Sequence, residues 1–115
     1  MAITQAYTGS ATIGATQFSC PNNATYSSAS AITVAGVYQV FLDTSAMVIG
    51  DQLRIEIYEK VLSSSTQRTI YEATLTGTMA QTWVSPSLIL VNGWDVTLLA
   101  VVGSINVDWS IRKVA

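Results

Sequence analysis

The residues able to do chemistry are few and scattered. The carboxylates are Asp43, Asp51, Glu56, Glu59, Glu72, Asp95 and Asp108, and the only thiol is Cys20. The chain has no histidine. General acid–base work needs a proton carrier held within hydrogen-bond reach of a partner, and no pair of these carboxylates has a spacing that implies one. A nucleophilic cysteine wants an imidazole or a positive neighbour, so Cys20 reads as a small apolar core residue. Zinc spacings, a calcium loop, a phosphate-cradling glycine loop and a nucleophile elbow are all missing from the sequence. The expectation is therefore no catalytic residue, no cofactor and no metal. Three tryptophans, Trp83, Trp94 and Trp109, invite a sugar-stacking reading, in which Trp83, set among Thr and Ser, is the one with a claim to exposure.

The elements that carry these residues are strands. Gly36 to Thr44 alternates with Tyr38, Val40 and Leu42 on the apolar side. Asp51 to Leu62 alternates with Leu53, Ile55, Ile57 and Val61 inward and Glu59 as the exception. As a helix it would put Ile55 opposite the Leu53–Ile57–Val61 stripe, and its β-branched content favours a strand. Gln67 to Gly77 returns as an antiparallel partner with Tyr71, Ala73 and Leu75 inward. Pro86 cannot donate a ladder hydrogen bond, so the strand beginning at Trp83 is an edge, bulged or split there.

The last third carries two turn signals, Asn92-Gly93 and Gly103-Ser104. Read as two-residue hairpins, they predict a three-stranded meander. That register puts Ile89, Val91, Trp94, Val96, Leu98, Ala100, Val102, Ile105, Val107, Trp109 and Ile111 on one dry face. It also sets Asp95 opposite Arg112 as a cross-strand ion pair. Leu88, Leu90, Leu99 and Val101 then fall on the outer face and need cover from this chain or from another subunit.

Seven to nine short strands without a long helix, in 115 residues, predict one all-β domain. The expected architecture is an antiparallel β-sandwich, jelly-roll-like, with an immunoglobulin-like sandwich as the alternative. Residues 17–115 form that domain. Residues 1–16 carry no charge and read as an extended N-terminal arm, with Ile3, Tyr7 and Ile13 as anchors on a neighbouring copy. The other readings of this stretch are the first strand of the domain or a frayed terminus.

Composition narrows the partners. Only 10% of residues are charged, against roughly 25% in ordinary soluble domains, and half are hydrophobic. Little charge keeps copies apart, which favours contact with other protein. A net charge of −2 without a basic patch argues against nucleic acid. No run is long and apolar enough for a membrane helix, and the first residues lack a signal-peptide pattern. A single cysteine forms no internal disulfide and suits synthesis in a reducing cytoplasm.

The segment GVYQVFLDTSAMVIGDQLRIEIYEKV, with TIYEATLTG, WVSPSLILVNGWDVTL and the ending WSIRKV, resembles small structural proteins encoded near capsid genes in tailed bacteriophages. The resemblance covers Val37 to Val114 and implies a capsid decoration or cement protein. Such a protein is a non-enzymatic viral structural protein, made in the bacterial host cytoplasm and seated on the outer capsid surface of the virion. Its partners would be the major capsid protein and copies of itself in a homo-oligomer such as a trimer, not nucleic acid or membrane. The other readings are a tail, neck or fibre component, and a carbohydrate-binding module. The residues offered for partner contact are Ile3, Tyr7, Ile13, Leu88, Leu90, Leu99 and Val101.

Overall fold

A computed structural model describes residues 3–114. Ten strands follow in order: β1 (Thr4–Ile13), β2 (Phe18–Ser19), β3 (Ala24–Thr25), β4 (Gly36–Asp43), β5 (Gln52–Glu59), β6 (Arg68–Thr76), β7 (Trp83–Val84), β8 (Leu88–Leu90), β9 (Asp95–Val102) and β10 (Ile105–Lys113). One 3-10 turn, Ser28–Ser30, interrupts the segment between β3 and β4.

The strands pair in nested fashion, the outermost with the outermost. β1 pairs with β10, β2 with β9, β4 with β7 and β8, and β5 with β6, every pair antiparallel. The chain is thus a long hairpin, with its bend between β5 and β6, folded over on itself. Two further pairings, β10 with β4 and β9 with β5, close the sheets. One sheet has the order β1-β10-β4-β7, with β8 also on β4; the other runs β3-β2-β9-β5-β6. If β2 with β3 counts as one arm and β7 with β8 as one interrupted strand, this is the eight-stranded jelly roll. The immunoglobulin-like alternative falls away, because in that fold the first strand lies beside the second rather than the last.

The core lies between the sheets and is built by period-two alternation. Tyr38, Val40 and Leu42 of β4 and Leu53, Ile55 and Ile57 of β5 are fully buried, as expected. Tyr71, Ala73 and Leu75 of β6 also face the core. From β9 and β10 come Val96, Leu98, Ala100, Ile105, Val107, Trp109 and Ile111. Each such side chain removed from water contributes roughly 1.5–3 kcal/mol before its entropy cost. The strand from Trp83 splits at Pro86, and both fragments lie along β4.

The meander does not form. Asn92-Gly93 carries the chain from β8 in one sheet to β9 in the other, and Gly103-Ser104 carries it back to β10. Alternation reports only that a residue faces the core, and in a sandwich both sheets face the same core. The consequences are local. Ile89 is 75% exposed, and Val91 and Val102 are about half exposed, whereas Leu90 is buried and Leu88 packs against the core. Val61 lies beyond the end of β5 and is 81% exposed. Asp95 and Arg112 sit in different sheets, so their ion pair does not exist; Arg112 instead lies over the Phe41 ring, 3.9 Å from its centroid.

The N-terminal stretch is not an arm standing off a domain that starts at residue 17. Thr4–Ile13 is an edge strand, with Gly9 opposite Trp109 and Ile13 opposite Ile105. It joins the sheet because Ile13 is buried and Tyr7 packs edge-on against Trp94, 5.7 Å between centroids. Gly9 is required there. A Cβ at this position would stand 2.5 Å from the Trp109 indole. Gly9→Ala is expected to lower unfolding stability by about 1–3 kcal/mol, the usual cost of overpacking, in urea denaturation. Unchanged stability would mean that Trp109 does not lean on β1.

Candidate functional site

The carboxylates of Asp43, Asp51 and Glu59 bind backbone N–H groups. Asp43 accepts from the Ser45 N–H at 3.0 Å, and this bond holds its carboxyl below the usual range. Asp51 accepts from the Val48 N–H at 3.0 Å and closes the turn after β4. Glu59, the inward exception of β5, receives the Val91 and Asn92 N–H groups on one oxygen and so fixes the crossing between the sheets. Glu56 stands opposite Glu72 on β6; it accepts from Tyr58 and Thr69 hydroxyls and lies 2.7 Å from Arg54 Nε. Among the described residues no group of three or more His, Cys, Asp or Glu is placed to hold a metal ion.

Asp95 is different. It is fully buried on the outer side of β9, beneath the segment that runs from β2 to β4. Ser19 Oγ donates to its Oδ1 at 2.7 Å, and the Val96 N–H donates to the same oxygen at 2.8 Å. Its Oδ2 is buried without a hydrogen-bond partner. Burial outweighs the two hydrogen bonds and pushes its carboxyl up to about 6. The network continues through Asn22, which donates to Ser19 Oγ at 3.0 Å and to the Ser30 carbonyl at 2.8 Å. Beside it Gln17 donates to Tyr58 and Thr97 hydroxyls, both at 2.8 Å, and Tyr26 stacks on Tyr58. These bonds tie the crossover to the sheet. Burial, with Asp95 nearby, pushes the Cys20 thiol well above its ordinary value, so it stays a protonated core residue.

The candidate contact residues are dispersed. Ile3 is 72% exposed, Tyr7 is half-buried on the core and Ile13 is buried. Leu88 and Leu90 face inward in one sheet, whereas Leu99 is half-buried and Val101 exposed in the other. The four therefore make no common surface. The tryptophans offer no platform either: Trp94 and Trp109 are buried, and Trp83 is half-buried beside Tyr71.

Part of the exposed aliphatic surface lies at the two ends of the sandwich, while Ile70, Val84 and Ile89 are exposed along strands. At one end Val48 and Ile49 stand in the turn after β4, with Ile49 89% exposed. The Asp51 carboxylate that holds this turn abuts Gly103, and Gln52 pairs with Val102, so Val101 and Val102 join the same tip. At the other end Val61 and Leu62 adjoin a shallow groove of about 530 Å³ walled by Ala31, Thr33, Ala35, Lys60, Val91 and Asn92. The sequence signal for both tips was large aliphatic residues inside turns, Met47-Val48-Ile49-Gly50 and Val61-Leu62-Ser63, where polar residues are usual.

No protein-family model and no curated protein matches the chain. Among solved structures it is similar to the Eiger TNF of S. frugiperda, at 13% identity and a TM-score of 0.45. That match covers 74% of this chain and 63% of the other.

Proposed function

We propose that the protein is a non-enzymatic structural component of a tailed-phage virion that binds the outer capsid surface and reinforces the shell. The observation that carries this reading is the apolar tip of Val48, Ile49, Val101 and Val102 on a rigid, weakly charged sandwich. Four aliphatic side chains held in water at the end of a small domain lose free energy only when another protein covers them. One turn at each end is anchored by a carboxylate on backbone N–H groups, Asp51 at one and Glu59 at the other, which stiffens the jelly roll there. The quoted resemblance supplies the capsid as partner. A tail, neck or fibre component would use the same tip on a different neighbour. The buried and half-buried tryptophans weigh against a carbohydrate module, which needs an exposed aromatic face.

The test is the double variant Ile49→Asp with Val101→Asp, titrated onto empty shells of the phage that encodes the chain. Both side chains are exposed, so the thermal midpoint should shift by no more than a few degrees. Binding should weaken at least about tenfold, because each charge must be buried without a partner. Shell binding at full strength by a folded double variant would remove the tip from the interface.

A further inference from the structure

Each sheet ends in two edges, and a free edge is a row of unpaired N–H and C=O groups that templates another strand. Three of the four edges are blunted. β3 is two residues long. β7 and β8 are fragments of two and three residues split around Pro86. β6 is long but carries Arg68 and Glu72. β1 is the exception. It has ten residues, no proline and no charge, and among the described residues nothing pairs with its outer side. Its one irregularity, between Gln5 and Tyr7, leaves Tyr7 to Ile13 in regular register.

We infer that β1 is a pairing edge and that its partner is β1 of a second copy of this chain, in an antiparallel pair about a two-fold axis that joins two five-stranded sheets into one. The occupant follows from the edge itself. The first charged side chain in the sequence is Asp43, so the strand offers no ion pair to a charged partner. A second β1 is equally neutral and equally long. Registers that keep inner residues on the inner side pair positions of like parity, so exposed Thr8, Ser10 and Thr12 meet one another across the axis. Thr–Thr and Thr–Ser neighbours are favourable cross-strand pairs. An isologous interface of this kind closes after two copies.

The experiment uses the full chain without capsid, so its outcome is separate from shell binding. Sedimentation equilibrium of the wild type should give a concentration-dependent dimer. Thr8→Lys with Ser10→Lys should raise the dissociation constant at least about tenfold, since like charges then face each other across the axis. Mixing that variant with Thr8→Glu/Ser10→Glu should restore dimers, now mixed. Hydrogen exchange of the wild-type Tyr7–Ile13 amides should slow as concentration rises, a readout that needs no variant. A monomeric wild type, an oligomer indifferent to the lysines, or amide exchange independent of concentration would each overturn the inference.

Discussion

Trp94→Ala should cost about 3–5 kcal/mol of unfolding stability, a large part of what a domain of this size has. Trp94 is fully buried where the chain passes from β8 into β9. Its ring packs on Tyr38 at 4.6 Å and on Tyr7 at 5.7 Å between centroids. Its backbone exchanges two hydrogen bonds with Ile32, at 2.8 and 2.9 Å, which hold the crossover to the sheet. The indole N–H donates to the Val34 carbonyl at 3.1 Å. Truncation leaves a cavity bounded by β1, β4 and the crossover, three pieces with no common strand to collapse along. Trp94→Phe keeps most of the ring and loses the indole hydrogen bond, so about 1–2 kcal/mol is expected. Trp109→Phe is the contrast, because the Trp109 N–H is buried without a partner and no bond is lost. Urea unfolding followed by circular dichroism measures all three. A loss under about 1 kcal/mol for Trp94→Ala would show that the three pieces are not joined through this ring.

Asp95→Asn should stabilise the protein at neutral pH and remove a pH dependence that the wild type shows. In the folded chain the carboxyl titrates at about 6 against an ordinary 3.8. Between these values the folded state holds a proton that the unfolded chain has released. Stability therefore falls as pH rises through roughly 4 to 6, by up to about 3 kcal/mol, and stays low above it. Asparagine keeps the oxygen that accepts from Ser19 and Val96 and carries no charge. Its amide nitrogen takes the unpartnered position, which costs part of the gain, so about 1–2 kcal/mol is expected at pH 7 and about none at pH 4. The titratable groups around Asp95 are Cys20, Tyr26, Tyr58 and Glu56. Burial raises the Cys20 thiol and the Tyr26 hydroxyl, which moves both further above the window. Ser19→Ala removes one donor to the carboxylate and should extend the fall to higher pH. Thermal midpoints at pH 4, 5, 6 and 7 provide the measurement; a wild-type stability that rises over this range, or an Asp95→Asn protein with the wild-type slope, would refute the assignment.

Most of the inward-facing residues were legible from alternation, because burial of one strand face is a local property of the chain. β4, β5 and β6 follow it residue by residue, and so do Trp94 to Ala100 and Ile105 to Ile111. Which sheet a strand joins is not local. Leu88, Leu90, Trp94, Val96 and Leu98 continue a single parity through Asn92-Gly93, whereas parity changes between Ala100 and Ile105, yet both turns cross between the sheets, so parity alone does not say where a strand goes. A hairpin required Val91 to share a face with Trp94, and Val91 is exposed. The Asp95 network was invisible for a similar reason. Nothing in the spacing of Gln17, Ser19 and Asn22 says that this crossover lies over β9. The apolar tips are legible as aliphatic residues inside turns, Val48-Ile49 and Val61-Leu62, where polar residues are usual.

The most direct test of a shell-binding role is the stoichiometry of the purified chain on empty capsid shells, read by sedimentation over a range of input concentrations. Saturable binding at a fixed ratio to capsid protein, lost in the Ile49→Asp/Val101→Asp variant, is the expected result. A folded chain that never enters the shell fraction at any concentration would contradict it.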